Sequence, residues 1–191
     1  MDPLIVILQA GTLRIRFEKR TDRFTHVLEW VDADRVIPMM ESVVGHAEDA
    51  WPVDVPLQEV VLESIGKDQR TVALGVGKSG YGHWSAAVEP LEIAPSLVRW
   101  DIACRVERTP ERLLSSLRWL GGTQDDFMAS GDPKRWEASC PTPNGKPCTL
   151  SIAVEIGQLH WDSKQKIVSV LPAVAMDRRG TARWCYTVRL S

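Results

Sequence analysis

The residue types best suited to chemistry in this chain of 191 residues gather around Gly75-Val76-Gly77-Lys78-Ser79-Gly80-Tyr81-Gly82 and the His83-Trp84-Ser85 that follows. A Gly-Lys-Ser run is the centre of a phosphate-binding P-loop, whose backbone N–H groups meet phosphate at the start of a helix. That motif needs a glycine five positions before Gly77, where Val72 stands, and a helix after it, where this sequence alternates like a strand. Ser79 also misses the nucleophile-elbow pattern, because Tyr81 occupies the place of its second glycine. A flexible connection between two strands is therefore the expectation here, with a backbone-lined ligand loop as the alternative. His83 with Ser85 or Ser79, and Asp101 further on, supply the residue types of a nucleophilic triad. Those types are too common for their presence alone to assemble one.

Metal chemistry finds no pattern. The four histidines stand singly at 26, 46, 83 and 160, without the close His, Cys or carboxylate spacing of a metal site. No metal and no cofactor is expected. His26 shares parity with Phe24, Leu28 and Trp30, which predicts a hydrogen-bonded core histidine. Of the four cysteines, Cys140 and Cys148 flank Pro-Thr-Pro-Asn-Gly-Lys-Pro and are placed to face each other across a hairpin. Ordinary reduced thiols are the simpler reading, because the start of the chain has no basic segment and only five consecutive apolar residues. That is neither a signal peptide nor a membrane span, and it predicts a cytoplasmic protein.

A third set of candidates is charged. Arg14, Arg16, Arg99, Asp101, Arg105 and Arg189 all alternate with apolar neighbours. On a solvated sheet face they form cross-strand ion pairs worth a few tenths of a kcal/mol each. Inside a closed barrel the same residues would line a charged tunnel for a phosphoester or ester substrate, which is the hydrolase alternative. A net charge of −2 and a pI near 6.1 argue against nucleic acid and anionic membranes as partners, since both call for basic patches.

These candidates are positioned by amphipathic strands. Val98, Trp100, Ile102, Cys104 and Val106 share one parity, and Arg99, Asp101, Ala103, Arg105 and Glu107 take the other. Side chains of a strand repeat with period two, so the sets lie on opposite faces. Leu13-Ile15-Phe17, Phe24-His26-Leu28-Trp30, Val72-Leu74-Val76, Leu150-Ile152-Val154-Ile156 and Trp184-Tyr186-Val188-Leu190 each predict a further apolar face. Two-sided strands of this kind mark antiparallel sheets. The fold class expected is mainly β, an antiparallel β-sandwich or partly open barrel. One short helix is expected around 109–120, where Thr109 suits an N-cap, Pro110 the first turn, and Leu113, Leu114, Leu117 and Leu120 recur at helical spacing. Residues 1–191 read as a single β-rich domain, with a lobe boundary conceivable within 121–147. Of the eight tryptophans, Trp30, Trp100 and Trp184 read as core. Trp51, Trp136 and Trp161 stand in polar, loop-like surroundings.

Glu48-Asp49-Ala50-Trp51-Pro52, Pro56-Leu57-Gln58, His83-Trp84-Ser85 and Asp101-Ile102-Ala103-Cys104-Arg105 together resemble an uncharacterised family of β-rich bacterial proteins, over about residues 23–107. The resemblance implies a bacterial cytosolic protein and carries no activity. It draws attention to the 45–56 loop and the Gly-rich 75–83 segment. The expectation is a non-enzymatic module binding a small ligand or a protein partner, with Asp49, Trp51, His83, Trp84 and Ser85 at the site. The two loops should then meet around a concave pocket. A structural subunit associating with copies of itself is the remaining alternative.

Overall fold

The alternating segments become strands in the computed structural model, which describes residues 4–46, 48–121, 127–128, 132–140, 148–173 and 179–191. Four consecutive hairpin strands open the chain: β1 (Ile5–Ala10), β2 (Leu13–Arg20), β3 (Arg23–Asp32) and β4 (Arg35–Ser42). After a loop come β5 (Glu59–Ile65), β6 (Arg70–Ser79), β7 (Gly82–Pro90) and β8 (Leu97–Val106). The remainder supplies β9 (Ser115–Trp119), β10 (Phe127–Met128), β11 (Arg135–Cys140), β12 (Cys148–Ile156), β13 (Gln158–Asp162), β14 (Ile167–Leu171) and β15 (Gly180–Leu190). They form two sheets in the orders β1-β2-β3-β4-β9-β14-β13 and β10-β11-β12-β15-β8-β7-β6-β5. Every neighbouring pair is antiparallel. Neither sheet closes into a barrel, and their apolar faces meet as in a sandwich.

That shared interior holds the parities expected of it. Leu13, Ile15, Phe17, Leu28, Trp100, Ile102, Trp184, Tyr186 and Val188 are each at most 1 % exposed. The Trp100 ring stacks on Tyr186 at 5.9 Å and 4° and packs against Phe17 and His26 of the opposite sheet at 5.9 and 4.7 Å. With the apolar faces enclosed, the charged faces are turned outward. The expected helix around 109–120 is absent; this segment runs as a loop into β9. Its leucines satisfy helical spacing, but Leu113, Ser115, Leu117 and Trp119 also alternate, and all four are buried. β9 lies between β4 and β14, pairing Leu117 with Ser42 on one side and Val168 on the other. A helix there would leave two strand edges without hydrogen-bond partners, which costs more than helix propensity gains. The lobe boundary expected within 121–147 falls largely outside the described residues. The chain on either side of that segment contributes strands to both sheets.

Two further expectations need correction. On β6 the apolar parity is inverted: Ala73, Gly75 and Gly77 pair with Val88, Ala86 and Trp84 on the inner face. Val72, Leu74 and Val76 take the other face, where Val72 is still buried, Leu74 is half-buried and Val76 is 50 % exposed. Trp51 and Trp136, expected in polar surroundings, are buried at 5 % and 4 %, and Trp161 packs against the core. Among the described residues no helix is long and apolar enough to cross a membrane. Trp100 joins the two sheets, so Trp100→Ala should lower the unfolding free energy by about 3–5 kcal/mol in urea titration. A loss under about 1 kcal/mol would contradict the packing described.

Candidate functional site

The 43–57 loop and the β6–β7 hairpin do meet. The Ser79 hydroxyl donates to the Asp49 carbonyl at 2.6 Å. At the hairpin turn, a Cβ on Gly80 would lie 2.7 Å from Ala50. Within β6 the glycines are not a flexible connection, as expected from sequence, but clearance for a crossing chain. A Cβ on Gly77 would sit 1.8 Å from the Pro56 carbonyl oxygen, and one on Gly75 would sit 2.7 Å from Leu57. Gln58 then joins β6 through its backbone N–H to Val76 at 2.8 Å, and its side-chain oxygen accepts the Lys78 N–H at 3.1 Å. This is why small residues occupy the inner parity of β6. Leu57 and the Pro56–Gln58 backbone fill that space.

The five residues expected to share the site divide between the interior and the surface. Trp51 and Trp84 are core, and Trp84 meets Trp184 edge-on at 5.9 Å. Asp49 is half-buried and holds its own loop, accepting the His46 N–H at 3.2 Å beside Arg112 at 3.9 Å. Arg112 also donates to the Trp51 carbonyl at 2.6 Å. His83 and Ser85 alone are exposed, on the outer face of the eight-stranded sheet. The triad does not assemble: Asp101 is held by Arg183 through both oxygens and by Arg99 at 3.4 Å.

The charged candidates occupy opposite outer faces of the sandwich. Arg14 and Arg16 converge on Glu29 at 2.7 and 3.0 Å on the seven-stranded sheet. Arg99 bridges Glu155 at 2.9 Å and Glu89 at 3.3 Å on the eight-stranded sheet, where Arg105 and Arg189 are exposed. Among the described residues there is no enclosed charged lumen of the kind the hydrolase alternative requires.

At the β6–β7 hairpin end, however, the register lines up three basic side chains. Lys78 pairs with His83 on β7, and His83 pairs with Arg105 on β8. Among the described residues neither Lys78 nor Arg105 has a carboxylate partner, and His83 lies 3.8 Å from Glu107. Arg108 sits 4.1 Å over the Tyr81 ring at the hairpin turn. A recess of about 400 Å³ adjoins this row, lined by Gln58, Glu59, Val76, Lys78, His83 and Trp84. Lys78 stood out in the sequence only as part of the Gly-Lys-Ser run, and Glu59 not at all. Their placement depends on the turn falling at Gly80-Tyr81 and on β5 pairing with β6.

A second cluster is electrically unusual. The Asp54 side chain, 11 % exposed, accepts the Ser116 N–H at 3.3 Å and lies 3.9 Å from His26 Nδ1. Burial pushes its carboxyl up to about 8, against the backbone N–H groups of Val55 and Ser116, which favour the ionised form. Burial likewise pushes His26 down to about 3. His26 is in the core as expected, but not hydrogen-bonded through its ring as expected: Nε2 has no partner among the described residues. A carboxyl kept protonated near neutral pH is a device of acid catalysis. Here the cavity beside Asp54 measures about 20 Å³, space for a single water and no substrate. Asp54 is thus a polar plug that fastens the 43–57 loop to β9.

No group of three or more His, Cys, Asp or Glu side chains among the described residues is placed to hold a metal ion. No family model matches the chain, and no curated protein matches it. Among solved structures, one described as "Putative kojibiose phosphorylase from human microbiome" aligns at 7 % identity and a TM-score of 0.42. The alignment covers 97 % of this chain and 34 % of that one, so the chain spans about a third of its length. A likeness at that level carries no argument.

The Asp54–His26 pair makes a pH signature. Asp54 is ionised in the unfolded chain above its ordinary 3.8 but keeps its proton in the fold up to about 8, so it costs stability as pH rises across that window. His26 acts oppositely between about 3 and 6.5, where only the unfolded chain is protonated. The two slopes cancel between 3.8 and 6.5, and above 6.5 the Asp54 slope stands alone. Stability should fall by about 2 kcal/mol between pH 6.5 and 8, and Asp54→Asn should flatten that fall in denaturant titrations. An unchanged slope in the variant would contradict the assignment.

Proposed function

We propose that this chain is a non-enzymatic module that binds a small anionic molecule, carrying a carboxylate or phosphate, in the recess beside Lys78 and His83. What supports this reading is the Lys78–His83–Arg105 row, three basic groups in adjacent register of which Lys78 and Arg105, among the described residues, lack the carboxylates found around Arg14, Arg16 and Arg99, while His83 lies 3.8 Å from Glu107. Lys78 offers a point charge, Arg105 a planar fork for two oxygens, and His83 a ring N–H donor. Val76 and the edge of Trp84 form an apolar wall for the rest of the ligand, and a recess of this size suits a small molecule. Glu59 at the rim selects against a second negative group on that side. The test is an NMR titration with inorganic phosphate and with citrate at low salt. Shifts should concentrate at residues 76–84 and 105, and Lys78→Ala and Arg105→Ala should each weaken binding by roughly tenfold. Absent shifts, or shifts unchanged by both variants, would refute the reading.

One observation favours a second reading, association with a copy of the chain. β1 and β5 end their sheets and lie beside each other, exposing Leu4, Ile5, Ile7, Val61, Leu62 and Ile65 by 41–58 %. Open edges are ordinarily guarded by charges or proline, yet Ile5–Ala10 contains neither. Antiparallel pairing of β1 with the same strand of a second copy opposes no like charges and extends the sheet across a two-fold axis. Light scattering should then give a concentration-dependent dimer that Ile7→Lys abolishes. A monomer at all concentrations would remove this reading without touching the ligand site.

A further inference from the structure

Four cysteines are reduced in the structure, and they are not equivalent. Cys104 and Cys185 stand apart, and burial pushes each thiol up to about 12, aided at Cys185 by the Glu155 carboxylate at 3.3 Å. Such thiols are poor nucleophiles. Cys140 and Cys148 are direct register partners across β11 and β12. Opposed residues of an antiparallel pair have Cα atoms about 4.5–5.5 Å apart, within the span of about 4.4–6.8 Å that a disulfide bridges. Interaction with the facing Cys140 thiol holds Cys148 below its ordinary range, and the same interaction together with burial pushes Cys140 above it. Each is 7 % exposed. The Cys140 thiol donates to the Met39 thioether sulfur at 3.7 Å, so its S–H is turned toward an uncharged neighbour.

We propose that Cys140 and Cys148 are a redox-active dithiol, which hydrogen peroxide converts to an intramolecular disulfide tying β11 to β12. In the first step the Cys148 thiolate attacks one peroxide oxygen and the O–O bond breaks. Cys148 becomes a sulfenic acid, and the departing hydroxide takes up a proton to become water. The Cys140 sulfur, on the directly opposed residue, then attacks the sulfenic sulfur. The S–S bond forms as the S–O bond breaks, and the hydroxyl leaves as water with the proton from Cys140. Two thiols and one peroxide thus give one disulfide and two waters. The pair lies at the opposite end of the eight-stranded sheet from Lys78, His83 and Arg105, as the register of β15 with β8 and β12 requires. Its oxidation is therefore independent of the ligand-binding proposal.

The full chain treated with a modest excess of hydrogen peroxide, quenched by alkylation and unfolded, decides the matter by intact mass and peptide mapping. The expected result is a monomer that has lost two hydrogen atoms, with Cys140 and Cys148 linked and Cys104 and Cys185 alkylated. The linkage should form roughly tenfold or more faster than any oxidation of Cys104 or Cys185. In Cys140→Ser, dimedone should trap a sulfenic acid at Cys148, whereas Cys104→Ser and Cys185→Ser should form the disulfide as the parent does. No loss of hydrogen, oxidation confined to Cys104 or Cys185, or disulfides only between chains would overturn the proposal. The parent measurement stands even if Cys140→Ser fails to fold.

Discussion

Trp100 has almost no contact with solvent, and the architecture depends on the contacts it makes. It extends from β8, near the middle of the eight-stranded sheet, onto Tyr186 of β15 within the sheet and onto Phe17 and His26 across the interior. Large flat side chains exclude water only when their neighbours are aligned, so this contact sets how the two sheets lie against each other. With the apolar faces committed to that interface, every alternating strand must present its charges to the outside. Arg14, Arg16 and Arg99 are then paired on the surface, where each bridge contributes a fraction of a kcal/mol.

The same interior explains the loop architecture. His26 is forced to be neutral by its aromatic surroundings, and Asp54 enters the core edge beside it as a protonated acid. That carboxyl takes the backbone N–H of Ser116 and so connects the 43–57 loop to a strand of the seven-stranded sheet. From there the chain passes over β6 at Gly75 and Gly77, the positions where β6 has no Cβ. The loop is thereby held between a strand of one sheet and the β6–β7 hairpin of the other, which carries the basic row on its outer face.

Strand register is also what distinguishes the reactive groups from the inert ones. Lys78, His83 and Arg105 are far apart in sequence and become neighbours by antiparallel pairing. Cys140 and Cys148 become opposed by the same rule. Asp101 and His83 occupy one outer face yet in different rows, so proximity in the motif did not become proximity in space. His83 is aligned with Arg105, and Asp101 with Ala87.

The β character, the antiparallel sheets and most of the core were legible from alternation alone, because period two is a local property that each strand carries in its own residues. Val98 to Val106 and Trp184 to Leu190 needed no partner to be read. What required the tertiary structure were positions whose local pattern admits two solutions. Leu113 and Leu117 fit a helical turn and a strand equally well, and β9 was decided by the open edges of β4 and β14. The inverted parity of β6 was decided by Leu57 and Pro56, which claim the inner space opposite two glycines. Trp51 and Trp84 sat in eye-catching motifs and went to the core, since burying an indole outweighs the polarity of its sequence neighbours. The Gly-Lys-Ser stretch shows both sides. Its residues excluded a P-loop and marked a strand connection, but its glycines proved to be clearance for a crossing chain, and only the pairing of β6, β7 and β8 aligned Lys78 with His83 and Arg105.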